Sequence, residues 1–215
     1  MSVDRLPAAR RVDRVEYLVE HCRGRSVLHL GCAGPACADH LHRRVGEAAS
    51  ELWGVDLSES ALEELRAGGG EVGRLIVGDV ERLGELCLAR RFDVVLAGEV
   101  LEHLGNPGMC LDGAHDLLAP DGRLLVSAPS ALSARVFLNA LFRRERVQAD
   151  HRCWLSPRTL RRLLAAHGYA VEEMLPYWGR VRPGAAGLLD RALRLLGLLS
   201  PWLGEGLVAC ARAAE

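Results

Sequence analysis

Two rhythms of apolar positions alternate along the chain. Short apolar runs at 26–30, 52–56, 74–77, 92–97 and 123–127 are bounded by glycines and polar residues, and read as buried strands. Between them, apolar residues recur at helical spacing. Residues 5–23 carry Leu6, Val12, Val15, Leu18 and Val19 on one stripe and stop at Gly24. Further helices are expected at 35–45 behind Pro35, from a Ser58 cap to Gly68, over a short stretch at 81–89, from Asn106-Pro107 to about Leu118, and from Ser156-Pro157 to Gly168. Strands alternating with helices imply right-handed crossovers and a parallel sheet covered on both faces, a doubly wound α/β fold.

The rhythm changes after Pro129. Residues 131–152 are apolar and helical at first, then rich in arginine. A sixth strand is expected at 169–175. A leucine-rich helix follows over 185–203, broken at Pro201, and a final strand over 206–211 is expected at the sheet edge. With 215 residues and no low-complexity linker, the chain reads as one domain, with 131–152 and 179–203 covering the active site or binding substrate.

Composition narrows the partners. A net charge of −1 gives the chain no overall attraction to nucleic acid. The N-terminal residues lack the apolar core of a secretory signal, and no apolar run reaches membrane-spanning length, so a cytoplasmic protein is expected. Seven cysteines without a CxxC pair read as reduced thiols. The chain contains no lysine, Ile76 is its sole isoleucine, and Asn106 and Asn139 its sole asparagines. That joint depletion fits a GC-rich genome. It weakens any phosphate-binding reading of Arg143, Arg144, Arg146 and Arg152, for which a solvated face is the simpler account.

Ligands of a doubly wound sheet sit beyond the carboxyl ends of its strands. The first strand ends at Gly31-Cys32-Ala33-Gly34, where small residues allow backbone N–H groups to approach a ligand. The second ends at Asp56, followed by Leu57; a carboxylate there can accept both hydroxyls of a ribose. The third ends at Asp79 and Val80, placed to meet an adenine, and the fourth at Gly98-Glu99. Four coincident positions in chain order describe an adenosine-type pocket. A nicotinamide-dependent oxidoreductase would share the first turn and the Asp56 role, but would want GxGxxG and a Tyr-x-x-x-Lys pair, and there is no lysine.

The segments VLHLGCAGPA (27–36), GVDLSESALEEL (54–65), GDVERL (78–83), FDVVLAGEVLEHLGNP (92–107) and LLAPDGRLLVSAPS (117–130) resemble the successive motifs of class I methyltransferases, and HRCWLSPRTLRRLLAAHGY (151–169) a later helix of small bacterial members. The resemblance implies a Rossmann-like sheet of seven strands, mostly parallel with one antiparallel edge strand. It implies S-adenosylmethionine as donor, held by Gly31, Cys32, Ala33, Asp56, Leu57, Asp79, Val80 and Glu99. His29 stands where the family usually has an acidic residue near the donor, and Ala33 and Pro35 replace two glycines. A degenerate module that binds donor without catalysis is therefore a rival reading.

Glu99-x-x-Glu102-His103 places three polar side chains at helical spacing just past the fourth strand. It resembles the arrangement of ubiquinone-pathway O-methyltransferases and small-RNA 2′-O-methyltransferases, where such residues and a later histidine, here His151, imply a divalent cation. Two alternatives stand beside it: His103 or His151 takes the acceptor proton without a metal, or Glu102 and His103 merely brace the helix. Layouts of this kind imply a small-molecule, sugar or glycan hydroxyl as acceptor. Residues 185–203 allow peripheral contact with a membrane, or packing in a homodimer.

Overall fold

The computed structural model describes residues 5–33, 41–70, 72–145, 147–179 and 184–214. The first half alternates as expected: α1 Arg14–Cys22, β1 Ser26–Leu30, α2 Leu41–Ala48, β2 Glu51–Asp56, α3 Glu59–Ala67 and β3 Arg74–Val77, then a 3₁₀ turn Val80–Leu86, β4 Phe92–Gly98, α4 Pro107–Asp116 and β5 Leu118–Pro129. The second half holds α5 Ala134–Leu141, α6 Pro157–Ala166, β6 Tyr169–Tyr177, α7 Gly184–Leu196 and β7 Gly206–Ala213. Local chemistry sets several starts. Asp13 accepts the Glu16 N–H to open α1, Ser58 accepts the Ala61 N–H to open α3, and Ser156 and Thr159 exchange hydrogen bonds at the head of α6, with Pro157 in its first turn.

The seven strands lie in the order β3-β2-β1-β4-β5-β7-β6. The chain winds outward from β1 to β3, returns to the centre at β4, and continues the other way, so strand order reverses between β1 and β4. Their side chains alternate between two cores: Leu28 and Leu30 face one with Val95 and Leu124, and Val27 faces the other with Val94, Leu96 and Leu125. Helices cover both faces, which is why these strands read as continuous apolar runs.

Several expectations need correcting. The one antiparallel strand is not at the edge: β7 runs antiparallel between β5 and β6, and β6 is the edge strand. Gly206 through Ala211 are all buried, and a strand so covered on both faces belongs inside a sheet. The first helix begins at Arg14 rather than residue 5, because Asp13 caps it there; Val12 before it bridges to Tyr177. The stretch at 81–89 is the 3₁₀ turn, stopped at Cys87 in a left-handed conformation (φ 47°). The leucine-rich helix ends at Leu196, with a separate turn at Pro201–Leu203. Of the helix expected at 35–45, residues 34–40, Gly34 and Pro35 among them, lie outside the described residues.

A buried histidine pair ties β1 to α2. His29 Nδ1 and His42 Nδ1 are 3.0 Å apart, and His42 Nε2 lies 2.9 Å from the Val72 carbonyl. A carbonyl only accepts, so the His42 proton sits on Nε2 and its Nδ1 is a lone pair. His29 then donates from Nδ1, leaving its buried Nε2 as an acceptor with no partner among the described residues. Burial holds both rings below the usual histidine range, aided at His29 by the charge of its partner. The pH dependence of stability follows. Above about pH 6.5 both rings are neutral in folded and unfolded chains alike; below it the unfolded chain takes up protons that the folded chain refuses. Stability is expected to fall as pH drops from about 6.5 toward 5, by up to about 1.4 kcal/mol per pH unit per ring. Urea unfolding of the native chain and of a His29→Leu/His42→Leu variant checks this. The variant should show the shallower slope; parallel pH profiles would count against it.

Candidate functional site

The reversal of strand order opens a crevice at the carboxyl ends of β1 and β4. A cavity of about 450 Å³ lies there, lined by Gly31, Ala33, Asp56, Leu57, Asp79, Val80 and Glu99, with His103 at its far side. That volume is in the range of pockets for nucleoside-sized ligands. Gly31 turns at φ 62°, and a Cβ there would come within 2.6 Å of Val100 Cγ2, so only glycine lets the first loop lie this close to the fourth strand's turn. Asp56 accepts the Ala33 N–H at Oδ2 (2.9 Å) and the Ser58 N–H at Oδ1 (3.0 Å). Each oxygen keeps capacity for one more donor, and the two backbone bonds fix the carboxylate's orientation. Asp79 likewise accepts the Glu81 N–H at Oδ1 (2.9 Å), with Arg82 3.9 Å from Oδ2, and lines the cavity. Leu57, an exposed leucine on the rim, and Val80 supply apolar surface.

Two expected residues do not line this cavity. His29 is fully buried against His42, which makes it a structural residue of the β1–α2 contact rather than a wall of the pocket. Cys32 is also fully buried, its sulfur packed over Gly54, because the loop turns its side chain inward while its neighbours face the crevice.

A second cavity of about 220 Å³ adjoins the first, sharing Glu99, His103 and Gln148, and adding Arg14, Glu102, His151 and Tyr177. Glu99 has φ 57°, a left-handed backbone that costs a non-glycine residue about 1 kcal/mol or more. Its carboxylate is held in place from two other elements: Tyr177 of β6 donates to Oε1 at 3.1 Å, and Arg14 of α1 lies 3.9 Å away. Glu102 is 2% exposed, yet neither carboxylate oxygen has a hydrogen-bond partner among the described residues. Burial, then the nearby charge of Glu99, pushes its pKa up to about 8. The rings of His103 and His151 meet edge to face at 4.6 Å, and burial first, then His103, lowers the His151 pKa. His103 Nδ1 lies 3.0 Å from Asp150 Oδ2 without the alignment of a hydrogen bond, and His151 Nδ1 is buried without a partner.

Glu102, His103 and His151 each offer one ligand atom, all within 4.8 Å of one another. Oxygen and nitrogen donors that converge so closely, with their lone pairs unused, match the spacing of a divalent cation's ligands. Of the expected catalytic residues, then, all three come together. His151 arrives from 49 residues beyond Glu102, held by Arg152 N–H, which donates to the Glu102 carbonyl at 2.7 Å. Arg14, Tyr177, Gln148 and Asp150 also line these cavities but stand in no recognisable motif; they reach the site through the docking of α1, β6 and residues 147–152.

Comparison with known proteins agrees with this geometry. A family model described as a methyltransferase domain matches residues 4–174. A ubiquinone biosynthesis O-methyltransferase of Neisseria meningitidis serogroup C is 32% identical over 122 residues, 53% of this chain and 49% of that protein. One of Azorhizobium caulinodans is 27% identical over 162 residues, 71% of this chain and 61% of that protein. The chain thus spans about half the length of most of the curated relatives it matches. Among solved structures, a methyltransferase structure of Bacillus halodurans aligns with TM-score 0.66 at 18% identity, covering 94% of this chain and 99% of that one. The magnesium protoporphyrin IX methyltransferase of Synechocystis with bound SAH aligns with TM-score 0.60 at 17% identity, covering 94% and 80%. The chain belongs to the methyltransferase-domain family, and its fold is the class I, Rossmann-like fold of S-adenosylmethionine-dependent methyltransferases.

Proposed function

We propose that this protein transfers a methyl group from S-adenosylmethionine to a hydroxyl of a small molecule, sugar or glycan intermediate, and that a divalent cation held by Glu102, His103 and His151 assists it. The observation that carries the reading is the buried, partnerless carboxylate of Glu102 beside two histidines, adjoining a pocket with an oriented carboxylate at the end of each of β2 and β3. The relatives named as O-methyltransferases support a hydroxyl acceptor. The small, polar second cavity supports a compact one.

Bound S-adenosylmethionine supplies an electrophilic methyl on a positively charged sulfur. The protein's tasks are placement and proton removal. Asp56 would accept from the ribose hydroxyls with the capacity its two backbone bonds leave over. Asp79 Oδ2 would accept from the adenine amino group, against Leu57 and Val80. Gly31 and Ala33 would let the loop backbone approach the methionine part. Glu99, at the junction of the two cavities, sits where donor and acceptor would meet. As the carbon–sulfur bond breaks and the carbon–oxygen bond forms, the acceptor hydroxyl loses its proton. Where no cation is bound, the lone pairs of His103 and of His151, whose pKa burial lowers, are placed to receive it; with a cation on those lone pairs the proton would pass to water. A cation between Glu102, His103 and His151 would bind the hydroxyl as a Lewis acid and offset the crowding of Glu99 and Glu102. The Glu102 carboxyl group has no hydrogen-bond partner among the described residues, which speaks against a merely structural role for that side chain.

Asp56→Ala is expected to weaken S-adenosylmethionine binding about 100-fold, the loss of two hydrogen bonds to a charged acceptor. Calorimetric titration measures it, and an unchanged affinity would remove Asp56 from the donor site. Titration of the intact chain with Mn²⁺ is expected to show one site, weakened more than tenfold in Glu102→Gln and in His151→Ala. If Mn²⁺ does not bind, the cation is wrong; should methyl transfer then still depend on His103 and His151, the metal-free base reading takes its place.

A further inference from the structure

We propose that helices α5 and α7 together form a docking surface for an anionic phospholipid bilayer. The surface lies outside both cavities, and the inference does not depend on the reaction assigned to them.

Most of the large apolar side chains that the protein exposes are gathered between residues 132 and 199. Two of its three phenylalanines are here, Phe137 at 66% exposed and Phe142 at 68%. Phe137 and Leu141 stand four residues apart on α5 and so share a face. On α7 several leucines face outward. Leu188, Ala192 and Leu195 form an exposed stripe, continued by Leu199 in the following turn at 82% exposed, while the buried side carries Asp190 and Leu193. The two helices touch, and Arg135 of α5 clamps them by binding Asp190 of α7 and Glu205 before β7. Their solvent face is therefore a fixed apolar patch of a kind that soluble monomers rarely leave uncovered.

Charge says what covers it. Arg143 and Arg144 follow α5, and Arg191 stands within the leucine stripe of α7. All three are exposed and have no ion-pair partner among the described residues. The acidic residues of 131–145 and 184–200 are Glu145 and Asp190, and Asp190 is buried against Arg135. Exposed apolar side chains with neighbouring arginines that have no ion-pair partner among the described residues match a bilayer of anionic headgroups over acyl chains. A second copy fits less well, because a two-fold contact would bring in three such arginines from each copy with Glu145 as the one exposed acidic residue of these segments to meet them.

Topology places this surface at the site's rim. The strands β5 and β6 are parallel to each other, both being antiparallel to β7, and α5 and α7 follow their carboxyl ends. Gln148 and His151, which follow α5 in sequence, lie in the wall of the second cavity. A bilayer on α5 and α7 would face the same side as the cavities open.

Sedimentation of the full chain with vesicles tests this. The native protein should sediment with vesicles of equal parts phosphatidylglycerol and phosphatidylcholine, and should remain in solution with phosphatidylcholine alone or in high salt. Arg143→Ala/Arg144→Ala should lower partitioning about tenfold or more. Leu195→Glu/Leu199→Glu should abolish it. These side chains are exposed, and unchanged circular dichroism and thermal unfolding would show that the variants fold. No sedimentation of the native chain, equal sedimentation of either variant, or a dimer in solution that Leu195→Glu dissolves while vesicle binding is absent would each overturn the proposal.

Discussion

A parallel sheet covered by helices on both faces leaves its strand ends open to a ligand, and here those ends diverge where strand order reverses between β1 and β4. Everything polar at the site depends on that constraint. Gly31 must pass within contact of Val100 for the two strands to end together, and no side chain fits between them. Asp56 and Asp79 can each spend one face on backbone N–H groups because the turns after β2 and β3 offer those donors in fixed positions. The carboxylates are oriented before any ligand arrives, which reduces what binding must spend on ordering them.

The same constraint brings carboxylates together past β4. Glu99 adopts a left-handed backbone and is steadied by Tyr177 and Arg14, while the carboxylate of Glu102 is buried with no donor to accept from among the described residues. An unpaired buried carboxylate is costly, and here the cost shows as a strongly raised pKa. Stability alone would favour an apolar residue at that position. The convergence of His103 and His151 on it gives the cost a chemical use, since a cation or a shared proton would satisfy all three at once.

The parts of the fold that were legible in the sequence are those set by local chemistry. Caps at Ser58 and Ser156, glycine turns, and runs such as 92–97 announce their elements directly, and the small or acidic residues at the strand ends mark the pocket. The position of β7 was not legible, because strand order in a sheet is decided by which strand needs cover on both faces, and residues 206–211 carry that information only through burial. The burial of His29 depended on His42, thirteen residues away on another element. Tyr177 and Arg14 were hidden for a similar reason: their role comes from the docking of β6 and α1 on the site, not from any motif around them.

A crystal structure of the chain with the demethylated donor product and Mn²⁺ tests this site most directly. The nucleoside is expected in the larger cavity, with both ribose hydroxyls on the Asp56 carboxylate, the adenine amino group at Asp79, and the ion between Glu102, His103 and His151. A nucleoside bound elsewhere, or an empty cavity at saturating ligand, would contradict it.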